Sequence, residues 1–340
     1  MHAFYLHGAK DLRPADMDPP DLAEGQVLVR IGATGICGSD LHYYAHGRNG
    51  DFVPARPFIL GHESAGEIVD AGAFADALPV GTRVAIDPAH PCRACTYCID
   101  GRYNLCPNMR YYGSAASSPP FDGTFRQLAP ALAQGCHPIP DDLDYRQAAL
   151  LEPLAVALQA VKRADGVAAR RVLVCGAGPI GQLVGLVARH YGAAWLTVSD
   201  LRPSALKLAT DTWADESVRP DEPGQMTHAA RGGFDLVIEA SGAPAALAAA
   251  YACCSPGGTI VQLGTQPAEV SLPVNLIMAK ELTLRGSFRF AHVFAQGLDL
   301  LIRRSIDLRP LITHRFAFDD LVAGMETASS PDSIKVVIDY

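Results

Sequence analysis

A chain of 340 residues is long for one hydrophobic core and reads as two domains. With 49% hydrophobic and 19% charged residues, its composition fits a compact protein and excludes a disordered one. A formal net charge of -8 argues against nucleic acid as a partner, because phosphate binding wants a basic face; a small anionic substrate held by one arginine is still allowed.

The opening "MHAFYLHGAKDLR" lacks a basic stretch followed by an apolar run, so no secretory signal is expected. The most membrane-like stretch, residues 172–188, holds four glycines and Pro179 and is too short to span a bilayer. The expectation is a cytoplasmic protein whose nine cysteines are metal ligands or reduced core thiols rather than disulfides. Up to about residue 145, short alternating runs broken by glycine and proline predict antiparallel strands. "QVLVRIGATG" sets Val27, Val29 and Ile31 on one face, and "GEIVDAG" and "GTRVAI" repeat the style. "YRQAALLEPLAVALQAVKRA" then has helical spacing, with Leu150, Leu151, Leu154, Leu158 and Val161 on one side. From there strand and helix signals alternate through "RRVLVCG", "GQLVGLVARHYG", "WLTVSD", "PSALKLAT", "FDLVIEASG", "GGTIVQLG" and "ELTLRGS", which predicts an α/β domain on a parallel sheet. The chain closes on "SIKVVIDY", a further strand.

"VLVCGAGPIGQLVGLVAR" puts Gly176, Gly178 and Gly181 after a strand and at the mouth of a helix, with Pro179 and Ile180 between them. Such glycines let the backbone approach a pyrophosphate at the positive helix end. The next strand ends in Asp200, which can accept hydrogen bonds from adenosine ribose hydroxyls and repel a 2′-phosphate. NAD is therefore expected, while Arg202 keeps NADP possible.

Cys92, Cys95, Cys98 and Cys106 offer four thiolates within fifteen residues, the donor set of a closed tetrahedral zinc site that pins a loop. A four-thiolate iron–sulfur cluster is the alternative. A second set is dispersed: Cys37 in "GICGSDLHYY", His62 and Glu63 in "LGHESAG", and Glu152 in "LEPLAV". Thiolate, imidazole and carboxylate suit zinc with one position open to a reactant, but spacing alone cannot bring these residues together.

These motifs, taken in order with "GAGPIG" and "GSFRF", resemble the zinc-dependent medium-chain dehydrogenases across nearly the whole chain. The chain is most similar to the polyol (sorbitol) dehydrogenase branch and, in "NMRYYGSAASSPPFDGTF" and "GSFRFAHVFAQ", to its L-idonate 5-dehydrogenase members. The resemblance implies a GroES-like β-rich catalytic domain from residues 1–145 and 287–340, with a Rossmann NAD-binding domain over 146–286. It implies two zinc ions per chain, the catalytic one on Cys37, His62 and Glu63, with Glu152 bound directly or through water. Asp40 would orient a ligand histidine. Ser39 and His42 would carry the substrate proton outward, and Tyr43, Arg110 and Arg289 would contact substrate. Phe290 stands where sorbitol dehydrogenases carry tyrosine, which agrees with a sugar-acid substrate. The implied reaction is hydride transfer between a secondary alcohol of a sugar acid (L-idonate to 5-keto-gluconate) and NAD. A sorbitol- or xylitol-type polyol dehydrogenase is the alternative, and a non-catalytic dinucleotide-binding protein a third reading. A homo-oligomer, tetramer or dimer, is implied as well.

Overall fold

Alternating apolar residues become buried ladders in the first part of the chain. The strand Gln26–Gly35 buries Val27, Val29 and Ile31 and is the hub of a seven-stranded sheet. It pairs antiparallel with Glu63–Asp70 on one side and with the C-terminal strand Lys335–Asp339 on the other, and Leu128–Leu132 also pairs with it. The two ends of the sequence therefore share one sheet, which brings "SIKVVIDY" beside Gly35, the residue two before Cys37. A three-stranded sheet of Asp11–Asp16, His2–Gly8 and Phe58–Ile59 packs a second apolar cluster that includes Phe4, Leu6, Phe58 and Phe125.

A computed structural model describes all of residues 1–340, and the chain divides into two compact units. One is Met1–Glu152 with Phe294–Tyr340; the other is Pro153–Val293. Each boundary lies seven residues beyond the expected one, 145 from composition and 287 from the resemblance. At the first, the composition shift marks where helix begins, whereas the division falls inside the helix Leu151–Arg163. The expected continuous helix over "YRQAALLEPLAVALQAVKRA" is in fact two, Tyr145–Ala149 and Leu151–Arg163, with a break at Leu150. Pro153 explains the break: it has no N–H to donate to Ala149 and disfavours helical backbone in the residue before it.

The second unit is built on six parallel strands in the order Glu216–Val218, Trp195–Ser199, Arg171–Cys175, Phe234–Glu239, Cys254–Gln262 and Thr283–Gly286. Numbered within the unit this is 3-2-1-4-5-6, the doubly wound order of a dinucleotide-binding domain. The order reverses between Arg171–Cys175 and Phe234–Glu239, so the turn after Cys175 opens at the point where such folds bind ligand. The helices Pro179–His190, Pro203–Thr212 and Pro244–Cys253 each begin with proline, whose fixed φ and missing N–H suit a first helical turn. Cys136, Cys175, Cys253 and Cys254 are buried thiols, and no helix is long and apolar enough to cross a membrane.

Candidate active site

The stretch "LGHESAG" turns sharply at Gly61, whose φ of +91° and close approach to Phe125 leave no room for a side chain. The turn delivers His62 and Glu63 to the head of the strand Glu63–Asp70, where Glu63 pairs with Gly35 across the ladder. Cys37 caps the helix Gly38–His46, two residues beyond Gly35. One ligand atom from each of Cys37, His62 and Glu63 lies within 4.8 Å of the others, with His62 and Glu63 buried. A Cβ at Gly35 would collide with Glu63 Oε2, so this glycine keeps the carboxylate's space.

Asp40 fixes the first two of these residues. Its carboxylate accepts the Cys37 N–H at 3.0 Å and the Gly61 N–H at 3.1 Å. Its distance to His62 Nδ1 is 3.7 Å, an ion-pair separation, so it holds the backbone on either side of the site rather than hydrogen-bonding the imidazole as the resemblance implies. Glu152, in the first turn of Leu151–Arg163, stands outside the tight group and accepts a hydrogen bond from Tyr111 Oη at 2.6 Å. The Tyr111 ring also packs edge-on against His62, 5.8 Å between centroids.

The electrostatics ask for a cation. Asp40, Glu63 and Glu152 are all buried, and one ammonium, that of Lys335, pairs with Glu63 and acts on Glu152. Burial pushes the Glu152 pKa up to about 7; Glu63 adds to the rise, and His62, Tyr111 and Lys335 oppose it. Burial alone would lower the His62 pKa, yet Asp40, Cys37 and Glu152 outweigh it and hold the imidazole well above its ordinary value. Its Nδ1 is buried with no hydrogen-bond partner. A soft thiolate, an imidazole and a carboxylate in a field with excess negative charge fit a zinc ion with an open fourth position.

The four-cysteine loop is built differently. Cys95 caps the short helix Thr96–Ile99, which carries Cys98, and Cys106 follows the turn Tyr103–Leu105. Sulfur–sulfur separations are 3.5 Å for Cys95–Cys98, 3.5 Å for Cys92–Cys106 and 3.9 Å for Cys95–Cys106. A tetrahedron with Zn–S of about 2.3 Å has edges of about 3.8 Å, so the four thiols are already spaced for zinc. The backbone N–H groups of Ala94 and Cys95 lower the Cys92 pKa to about 6, which favours the thiolate a metal needs.

In the second unit, Gly176 has φ of +96° and packs against Ser241, and a Cβ on Gly181 would strike the Gly176 carbonyl oxygen. Gly178 caps the helix that begins Pro179-Ile180-Gly181. Asp200 Oδ2 accepts the Ala177 N–H at 2.7 Å, which ties the end of the second strand to the glycine turn. Its other oxygen accepts the Arg202 N–H at 2.9 Å and Nε–H at 3.2 Å, so Arg202 is clamped to Asp200. Sequence reasoning missed Glu239, a buried carboxylate that accepts the N–H groups of Ser241 and Gly242 and the Nε2–H groups of Gln262 and Gln266. It draws together the loops that follow two adjacent strands. Its signal was faint: the second of two acids in a largely apolar strand, "FDLVIEASG".

The remaining expected residues fall in both units. Ser39 is half-buried in the first turn of Gly38–His46, and His42 lies exposed farther along, with no hydrogen bond between them. Tyr43 is buried, 1% exposed, its ring packs on Phe58, and its hydroxyl accepts the Ala115 N–H at 2.9 Å. The helix turns Tyr43 inward and leaves its neighbour His42 exposed. Arg110 is exposed with its guanidinium 4.1 Å from the Phe121 ring centroid. Arg289, in the second unit, is half-buried at φ +50° beside Phe288, and Phe290 is buried. Lys335 and Tyr111 were not foreseen, although both touch the cluster's carboxylates.

Comparison with known proteins agrees with this geometry. A family model described as the alcohol dehydrogenase GroES-like domain matches residues 23–141, and one described as zinc-binding dehydrogenase matches residues 179–303. The chain is 35% identical over 339 residues to sorbitol dehydrogenase of Mus musculus, covering 98% of this chain and 94% of that protein. It is 39% identical over 328 residues to D-xylulose reductase of Saccharomyces cerevisiae, covering 92% and 90%. The crystal structure of L-idonate 5-dehydrogenase from Escherichia coli superposes with a TM-score of 0.92 at 33% identity, covering 100% of this chain and 98% of that one. With both halves matched and relatives aligned along nearly their whole length, the chain belongs to the zinc-binding alcohol dehydrogenases, in their polyol dehydrogenase branch.

Proposed function

We propose that the chain is an NAD-linked, zinc-dependent dehydrogenase that interconverts L-idonate and 5-keto-gluconate. The observation that carries the zinc chemistry is the close group of half-buried Cys37 with buried His62 and Glu63: three donors that leave one tetrahedral position for a substrate hydroxyl. Zinc bound there supplies Lewis acidity toward that hydroxyl, and a bound NAD supplies the hydride acceptor. The chain's own residues do the rest. Asp40 holds the backbone beside Cys37 and at Gly61, so the thiolate and imidazole are fixed before substrate arrives. Glu152, steadied by Tyr111, accepts a hydrogen bond from the group at the open position. Ser39 takes the substrate proton, and transfer to the exposed His42 passes through water because no direct hydrogen bond joins them. The four cysteines hold a second zinc that pins their loop, so metal analysis should find two zinc ions per chain. Clamped to Asp200, Arg202 is drawn away from a 2′-phosphate, which favours NAD over NADP.

A sugar-acid carboxylate wants a bidentate guanidinium, and Arg289 is the residue assigned to it. Phe290 offers no hydroxyl to a polyol chain, and the likeness to L-idonate 5-dehydrogenase supports the acid. The polyol reading is favoured by the names of the sorbitol dehydrogenase and D-xylulose reductase relatives. Steady-state kcat/KM for L-idonate, sorbitol and xylitol, each with NAD and NADP, decides between them. We expect at least about a tenfold preference for L-idonate with NAD, since one charge-assisted pair supplies 1.5 kcal/mol or more. A preference for sorbitol would overturn the acid reading, and NADH binding without turnover of any of them would favour a non-catalytic protein. The resemblance further supports a cytoplasmic homo-oligomer, dimer or tetramer, which light scattering of the purified protein tests.

A further inference from the structure

Lys335 has no part in the mechanism above, yet it is the most constrained cation in the first unit. Its side chain is 2% exposed, and its ammonium donates to Glu63 Oε1 at 2.6 Å and to the Ile36 carbonyl oxygen at 2.9 Å, with Glu63 Oε2 at 2.5 Å. Two hydrogen bonds and one close ion-pair contact thus fix the ammonium, one of the bonds going to the carbonyl of the residue before Cys37. The position is set by the backbone: the Ile36 N–H bonds the Val336 carbonyl oxygen, and Val337 pairs with Gly35. The ammonium is therefore fixed at one end of a row whose other end is the open space among Cys37, His62 and Glu63. Glu63 lies between two cation positions and has one carboxylate to share.

We infer that Lys335 is a positioning residue that competes with the catalytic zinc for Glu63, and so makes Glu63 a ligand that can let go. The inference rests on the reading of Cys37, His62 and Glu63 as the catalytic metal site. Two effects of the ammonium act in the same direction. It repels a divalent ion bound a few ångströms away. It also keeps Glu63 ion-paired whenever the carboxylate is off the metal, so that release does not strand a buried unpaired anion. With Lys335 neutral, the metal-free state would hold an uncompensated carboxylate, and zinc would be the only cation able to satisfy it. A lysine that served only to pack the strand would behave in the opposite way: its loss would loosen Glu63 and let zinc escape sooner.

The test is the rate of zinc release from the purified holoprotein into excess chelator, followed with a chromogenic zinc indicator. The four-cysteine zinc serves as the internal reference within each sample. In Lys335→Met and in Lys335→Gln, which retains a donor for the Ile36 carbonyl, the phase assigned to the catalytic zinc should slow at least tenfold. The four-cysteine phase should not change, which also reports that the variants are folded. Lys335→Arg keeps the charge and should release zinc within threefold of the parent protein. Release from the Met or Gln variant as fast as in the parent, or faster, would overturn the inference, as would slowing in the Arg variant equal to that in Met. Parent protein holding only the four-cysteine zinc is a different failure, that of the metal-site reading itself.

Discussion

The two zinc-type clusters solve one problem in opposite ways. The four cysteines sit within fifteen residues, on a loop with little buried core, and their sulfurs approach metal spacing through local turns alone. Cys37, His62 and Glu63 come from a helix cap and a strand head brought together by a long-range ladder, and the last two are buried among charges. A local cluster can fold with its metal and pin a loop; a dispersed one exists only after the sheet has formed and so can be held in a shape set by that sheet. The difference teaches that the first should trade in stability and the second in turnover.

Single-ligand removal would break that division if it is wrong. His62→Ala should lower kcat/KM for the best substrate by at least about 10³-fold, the scale of several kcal/mol of charge stabilisation, with the melting temperature nearly unchanged. Cys106→Ala removes a buried thiol and should do the reverse: a lower melting temperature and poor recovery, but near-normal kcat for the folded fraction. Calorimetry and active-site titration on both variants check the pair. Equal losses of stability would mean that the two sites are not separable.

Gly35→Ala sharpens the point without touching a ligand. The new methyl would occupy the space of Glu63 Oε2, so Glu63 must move while Cys37 and His62 stay tied to Asp40. We expect loss of roughly one zinc per chain and a fall in activity of about 10²-fold, the cost of misplacing one group by about an ångström. The four-cysteine zinc should remain. Elemental analysis that still finds two zinc ions in Gly35→Ala would show that Glu63 is dispensable as a ligand.

How far the sequence reached follows the same line between local and distant. The four-cysteine spacing, the glycine turn with Asp200, and the strand Gln26–Gly35 are local patterns, and they read directly. The dispersed cluster was readable only through resemblance. Its supporting residues were not: Lys335 lies 272 positions from Glu63, and a lysine in "SIKVVIDY" looks like the solvent face of an edge strand. The sheet that buries it is assembled from both chain ends, which no local period reveals. The helical spacing read from residue 145 missed the break at Leu150, three residues before Pro153, a case of apolar periodicity outweighing backbone chemistry.

The smallest effect probes the base of the cysteine loop. Asp87 precedes the strand Ala89–His90, which pairs with Arg110–Tyr111 at the foot of that loop. Burial raises its pKa from 3.8 to about 6, against the Ala89 N–H and Arg93, which lower it. A carboxyl with a raised folded pKa costs nothing below pH 3.8, loses stability as pH climbs from 3.8 to about 6, and carries a constant penalty above that. Asp87→Asn removes the penalty and keeps an oxygen for the Ala89 N–H, so it should raise stability at pH 7.5 by about 1–2 kcal/mol, with no gain near pH 4. His90, lowered to about 4 first by burial and then by Arg110 and Arg93, has the opposite slope. It loses stability as pH falls from 6.5 toward 4, but it does so in both proteins and cancels in the difference. Melting curves of the pair at pH 4.5 and 7.5 test the sign, and kcat should not move, since this end of the unit trades in stability. A variant less stable at pH 7.5 would mean that attraction from Arg93 outweighs the burial of Asp87, and that the loop is held by charge as well as by metal.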